Sequence, residues 1–416
     1  MQAARYSFGI ALLGIAVACT DSRAPVGPAQ YTAATRTPST AAGEAAVGRL
    51  IFFDQRLSLN QNQACAACHD PTSGWTGPLS SINAGGAVYE GSVAGRFGNR
   101  KPPSSAYATQ SPTLHLAIEK KDALFVGGMF WDGRATGERL GSPTAEQALG
   151  PFLNPLEQAL GAPGDVVSRI CAGPYAADFI AVWGAGMCDP ANVNSAYDAV
   201  GRSVSAFEAS SESNAFTSKF DYARAGQARL TSQELQGLAL FQGKAKCAGC
   251  HVLDGDALLT DYTFDNIGVP KNPENPFYGM TAFNPLGAAW VDLGLGEFLA
   301  TRSDFQSRAE ENLGKQKVPT LRNVDLRPSA DFVKAFGHNG YFKSLEGIVH
   351  FYNTRDVKPA CPGPVSEAQA LAAGCWPPPE VAANVNRAEL GNLHLTMKQE
   401  RAIVAFLKTL SDGYQP

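Results

Sequence analysis

The sequence predicts a mainly α chain made of two halves related by duplication, joined and covered by long loops. Three observations carry that reading. Helix signals recur: Thr231-x-x-Glu234 and Thr396-x-x-Gln399 have the capping-box form, and each opens an apolar-periodic run. Strand-like alternation is scarce, while Gly and Pro gather in connections such as Ser81 to Ser111 and Val269 to Pro285. One local context is written twice, as Gly48-Arg49-Leu50-Ile51-Phe52 and Gly237-Leu238-Ala239-Leu240-Phe241. A length of 416 residues suits two domains or one duplicated unit. With 44% hydrophobic and 17% charged residues, wholesale disorder and coiled coil are excluded. The net charge of -4 leaves no electrostatic footprint for nucleic acid.

In chain order, Arg5 precedes the apolar stretch Gly9 to Ala18, which has the charged and apolar regions of a signal peptide and is too short to span a membrane as a mature helix. Ala18-Cys19 resembles a lipoprotein cleavage box, with Ala16 where Leu is usual. Residues 1–19 are therefore read as an export signal to the periplasm, with Cys19 the residue for a lipid anchor or, in the plainer reading, a nearby cleavage site. Residues 20–43 turn to Ala, Thr, Pro and Ser without apolar period, a disordered tether. The two halves follow as 44–225 and 226–416. In the last helix Ile403, Phe406, Leu407 and Leu410 fall at i, i+3, i+4 and i+7, one buried face.

Each repeated context is followed by a C-x-x-C-H motif, Cys65-Ala-Ala-Cys68-His69 and Cys247-Ala-Gly-Cys250-His251. This is the attachment signature of c-type haem. Two thiols form thioethers with the haem vinyl groups, and the following imidazole is then placed beneath the iron. Chance gives about 0.003 such motifs in a chain of this composition. A zinc ribbon needs its two pairs about 15 to 20 residues apart, far closer than positions 65 and 247. A thioredoxin-like pair explains neither the histidine nor the doubling. The halves thus read as two cytochrome c-like haem domains carrying two covalently bound haem c. Nine cysteines include these four and Cys19. The remaining four fall as two short-range pairs, Cys171 with Cys188 and Cys361 with Cys375, expected as disulfides in an oxidising compartment.

From about Gly48 to Tyr414 the chain resembles the bacterial di-haem cytochrome c peroxidase family, including its MauG-like branch of methylamine dehydrogenase maturation enzymes. The resemblance rests on both haem motifs together with Phe130-Trp131-Asp132-Gly133-Arg134, Asn154-Pro155-Leu156-Glu157, Asn266-Ile267-Gly268, Val318-Pro319-Thr320-Leu321-Arg322-Asn323, His338-Asn339-Gly340 and Phe351-Tyr352-Asn353. It implies helical domains whose haems face one interface. It also implies that the haem on His69 is peroxidatic, with Glu157 as distal acid and base, Pro151 crowding the open side, and Trp131 relaying electrons. Many members close the resting peroxidatic haem with a loop histidine. This chain has none from Asp70 to Leu114, and His115 lies past that position, as a structural residue. The first iron is accordingly expected to be five-coordinate or water-bound.

At the second haem, His251 is proximal. Leu345, Ile348, Val349 and Tyr352 share one helical face, which points Tyr352 inward. Tyr352 matches the position of a ligating Met in many peroxidases and of a ligating Tyr in the MauG-like branch. Met280, in a long loop, is the alternative ligand; Met397 is expected in packing and His350 on an exposed face. The resemblance further implies calcium between the haems, held by an asparagine side chain and two backbone carbonyls. The asparagine position reads Gln110, and the segment after Asn323 runs Val324 to Ala335.

The function expected is reduction of hydrogen peroxide to water with electrons from a small donor protein, a cytochrome c or cupredoxin. One alternative is a MauG-like enzyme that stores oxidising equivalents on both haems and oxidises residues of a partner protein. Against its specific form, Ala245 stands where the maturation enzymes carry a surface tryptophan. Another alternative is a non-enzymatic di-haem electron carrier, which would close both irons.

Overall fold

The computed structural model describes residues 38–119 and 122–416. The export signal read at 1–19, its Cys19, and residues 20–37 of the tether lie outside them. Residues 38–43 correct the tether reading, because they form the start of the helix Pro38–Phe52. Pro38 suits a first helical position, and Ala41, Ala42, Ala45 and Ala46 are strong helix formers.

Helices and 3-10 turns dominate, and strands are few. One hairpin pairs His115–Glu119 with Asp122–Val126, and a second short pair joins Phe264–Asp265 to Gln316–Lys317. Both expected capping boxes are present, at Thr231 and Thr396. Ile403, Phe406, Leu407 and Leu410 are all buried. Among the described residues no helix is long and apolar enough to cross a membrane.

The repeated sequence context builds a repeated helix pair. In the first half Pro38–Phe52 packs on Val193–Glu208, and in the second Ser232–Gln242 packs on Met397–Lys408. The contact is close because glycine sits at each crossing: a Cβ on Gly48 would strike the Ser203 carbonyl, and one on Gly237 the Ala402 carbonyl. One turn later Phe52 meets Phe207, and Phe241 meets Phe406, each with ring centroids 5.2 Å apart.

Each half has its own core. Ile51, Phe52, Phe152, Phe179 and Phe207 belong to the first, and Phe241, Phe342, Phe351, Trp376 and Phe406 to the second. Phe220 packs in the second core against Phe406, so that core's packing starts before residue 226. Cys171–Cys188 staples the first half and Cys361–Cys375 the second, while Cys65, Cys68, Cys247 and Cys250 stay unpaired.

Candidate functional site

Both C-x-x-C-H motifs form the same turn. Cys65–Ala67 and Cys247–Gly249 are 3-10 helices, and each histidine folds back so that its N–H donates to the first cysteine's carbonyl, at 3.0 Å for His69 and 2.9 Å for His251. Each Nδ1 lies on a backbone carbonyl, Trp75 at 3.2 Å and Leu259 at 2.8 Å. A proton on Nδ1 leaves the Nε2 lone pair free for iron. Burial pushes both imidazoles down to about 4, which keeps them neutral and ligand-competent near pH 7.

A single cavity joins the second motif to the interior. Cys247, Cys250 and His251 line it together with Leu345, Ile348, Val349 and Tyr352, the face expected from the helical period, and with Phe241, Leu393, Ile403 and Leu407. Apolar walls around two free thiols and a carbonyl-anchored imidazole fit a covalently attached porphyrin. Burial raises the Tyr352 phenol above its ordinary range, and the Cys247 and Cys250 thiols add to that. Met280 does not line the cavity. Its sulfur accepts the Phe97 N–H at 3.2 Å, on a loop of the first half. Met397 is exposed rather than packed, at 68%. His350 is half-buried rather than exposed, because Glu400, itself held by Asn353, faces its Nδ1 at 3.0 Å.

At the first motif the helix Pro143–Leu153 contains Pro151 and ends at Asn154. Pro151 cannot donate a backbone hydrogen bond, and the chain turns within one further residue pair. Asn154 then organises the turn: its Oδ1 accepts the Leu156 N–H at 3.0 Å and its Nδ2 donates to Glu157 Oε1 at 2.6 Å. Burial raises the Glu157 carboxyl above its ordinary value, while Arg134 and Asn154 pull it back. Glu157 in turn lies near enough to the half-buried Cys65 and Cys68 for its charge to raise both thiols, adding to the larger effect of desolvation. His115 is exposed on the hairpin and bonded to the Thr113 carbonyl.

Trp131 is buried and lines the same cavity as His251. Its Nε1 donates to the Lys101 carbonyl at 2.8 Å, and its ring lies 6.4 Å from that of His338, edge to face.

Residues 42–229 match the family description di-haem cytochrome c peroxidase. Over 408 residues, 96% of each chain, the sequence is 33% identical to the methylamine utilization protein MauG of Paracoccus denitrificans (strain Pd 1222). The chain belongs to the di-haem cytochrome c peroxidase family. It is also 27% identical to the cytochrome-c peroxidase IdrP2 of Pseudomonas sp. (strain SCT), over 96% of this chain and 90% of that relative. Its fold superposes on the diheme peroxidase BthA from Burkholderia thailandensis E264 with a TM-score of 0.72 at 28% identity, covering 91% and 87% of the two chains.

As a member of the di-haem cytochrome c peroxidase family it is an oxidoreductase, and two haem c groups are the cofactors its motifs serve. In this peroxidase-family chain, sequence reasoning missed the polar seam around Trp131. Arg100 bridges Asp132 of the first half and Asp292 of the second, Asp292 also lies 4.0 Å from His338, and His338 faces Glu380 at 3.3 Å. Lys101 and Lys334 are buried beside it. The Phe-Trp-Asp-Gly-Arg run hinted at this seam through Asp132 and Arg134, and the His-Asn-Gly run through His338.

Proposed function

We propose that the protein reduces hydrogen peroxide to water with electrons drawn from a small periplasmic redox protein, a cytochrome c or cupredoxin. The observation that carries this reading is Glu157, a half-buried residue whose carboxyl is held by Asn154 near enough to the Cys65 and Cys68 thiols of the attachment turn for its charge to act on both. A haem c attached through Cys65 and Cys68 and held by His69 would supply iron chemistry for O–O cleavage, and one held by Cys247, Cys250 and His251 would supply electrons. His69 presents Nε2 with its ring fixed through Nδ1. Glu157 takes the proton from one peroxide oxygen and returns it to the departing one. Two further protons and two electrons complete two waters. Pro151 crowds the same side, and the lack of histidine from Asp70 to Leu114 leaves no loop imidazole to close it.

Tyr352 is proposed as the sixth ligand at the second haem, since it shares the cavity with His251 while the Met280 sulfur is engaged by Phe97. A phenolate withdrawn from water needs a cation beside it, which the iron of a haem held by His251 would provide. Trp131, within that cavity, is the proposed electron relay. The leader ending at Ala18-Cys19 supports export to the periplasm, with Cys19 the site for a lipid anchor.

Tyr352 and the likeness to MauG favour a second reading, an enzyme that oxidises residues of a partner protein. Steady-state turnover with peroxide and reduced cytochrome c separates the two. Fast oxidation of the cytochrome supports the peroxidase. Slow decay of a peroxide-oxidised spectrum with little cytochrome oxidation supports the second reading, and no reaction with peroxide leaves an electron carrier.

A further inference from the structure

The calcium implied between the haem sites does not fit the residues at its expected positions. Gln110 is exposed. From Asn323 onward four carbonyls are already engaged by side chains: those of Asn323 and Leu326 accept from Lys334 Nζ at 2.6 and 2.8 Å, that of Phe332 from Arg327 at 3.1 Å, and that of Val333 from Asn83 at 3.1 Å. Calcium needs about six to eight oxygens free to turn toward it. Oxygens facing amine, guanidinium and amide donors are not free.

Lys334 has a counterpart across the seam. Lys101 is also buried, and its Nζ donates to Thr76 Oγ1 at 2.9 Å and the Pro102 carbonyl at 2.8 Å. Both lysines brace one loop: Lys101 reaches Thr76, and Lys334 Nζ lies 2.8 Å from where a Cβ on Gly74 would stand. Between Gly74 and Thr76 is Trp75, whose carbonyl holds His69 Nδ1. On its other side Lys101 accepts the Trp131 Nε1–H and donates its own N–H to the His338 carbonyl at 2.8 Å. Among the described residues neither Nζ is hydrogen-bonded to a carboxylate.

We propose that Lys101 and Lys334 take the structural place of calcium in this protein, tying the His69 loop to Asn323, Leu326 and Trp131, so that the joint between the two haem sites needs no metal. A covalently attached amine cannot be stripped by a chelator. The proposal rests on the two haem sites but not on the reaction assigned to them.

The test is metal analysis of the holoenzyme after equilibration with calcium on the order of 1 mM and desalting, with absorption and electron paramagnetic resonance spectra before and after EGTA. Calcium far below one per chain, and spectra unmoved by EGTA or by added calcium, are expected. Stoichiometric calcium, or a chelator-induced change that calcium reverses, overturns the proposal. Lys101→Met and Lys334→Met are each expected to alter the ferric signal of the His69 haem while leaving that of the His251 haem in place. If both variants fold and neither signal moves, the lysines are filler and the proposed joint is wrong. If they fail to fold, the calcium analysis of the unaltered protein still decides.

Discussion

Glu157 holds its proton more tightly than an exposed carboxyl because burial penalises the ionised form. Only that ionised form can accept a proton from peroxide. The second-order rate with peroxide is therefore expected to rise with pH through a midpoint above the ordinary 4.5 and then level off. Glu157→Gln should remove this titration and slow the reaction by about 100- to 10,000-fold with both haems still attached. Stopped-flow traces across pH provide the check, and a glutamine variant with an unchanged profile would end the assignment. At the other site, Tyr352→Phe is expected to change the ferric spectrum of the His251 haem, whereas Met280→Leu should leave it alone. The reverse pattern would make Met280 the ligand. The role of Glu157 came only from the family resemblance. The haem motifs and the inward placement of Tyr352 were legible because chemistry fixes their spacing: thioether attachment dictates C-x-x-C-H, and a helix repeats its inward face from Leu345 to Tyr352. Lys101 and Lys334 were not, since a lysine that will be buried carries no local mark distinguishing it from one in water.

The paired helices show what a repeated pentapeptide encodes. Gly48 and Gly237 admit the partner helix's backbone at the crossing, so Gly48→Ala and Gly237→Ala should each cost about 1–3 kcal/mol of stability by overpacking. Denaturant unfolding measures this, and a neutral outcome would mean that the crossing relaxes. At the end of Val193–Glu208, Glu208 is buried at 4% exposure, and burial raises its carboxyl to about 8. A folded value above the unfolded 4.5 means that the folded state binds the extra proton, so this residue's contribution falls as pH rises between 4.5 and about 8. Its charge would also oppose the helix dipole there. Glu208→Gln should stabilise the protein by about 1–3 kcal/mol near pH 8 and by much less near pH 5. Equal gains at both pH values would show that Glu208 is not held protonated. Helix starts and faces were readable from caps and periodicity. The start at Pro38 was not, because low-complexity Ala-Thr-Ser composition masks a helix that is stabilised by packing of Val47 and Ile51 against the first core.

Across the whole molecule, duplication was legible and interlocking was not. Leu114, just before the first half's hairpin, and Phe125, within it, pack with Phe264, Leu295 and Leu299 of the second, and Tyr107 donates to Asp412 at 2.7 Å. Such contacts join positions far apart in sequence with no shared period, so no window of residues announces them. The buried ion pairs of Arg100 are the sharpest case. Its guanidinium grips both Asp292 oxygens, at 2.6 and 2.7 Å, as well as Asp132, and holds the Asp292 carboxyl far below its ordinary range despite burial. Arg100→Gln would leave Asp292 buried without its cation, at a cost of about 3–5 kcal/mol near neutral pH. Once orphaned, that carboxyl should bind a proton more tightly than the unfolded chain does, so the variant's deficit shrinks as pH falls from about 7 to about 5. Because the same guanidinium spans the two halves, its loss should also separate their unfolding, turning one calorimetric transition into two. A deficit that is unchanged with pH, or a single transition as sharp as in the unaltered protein, would show that the halves are coupled elsewhere in the seam.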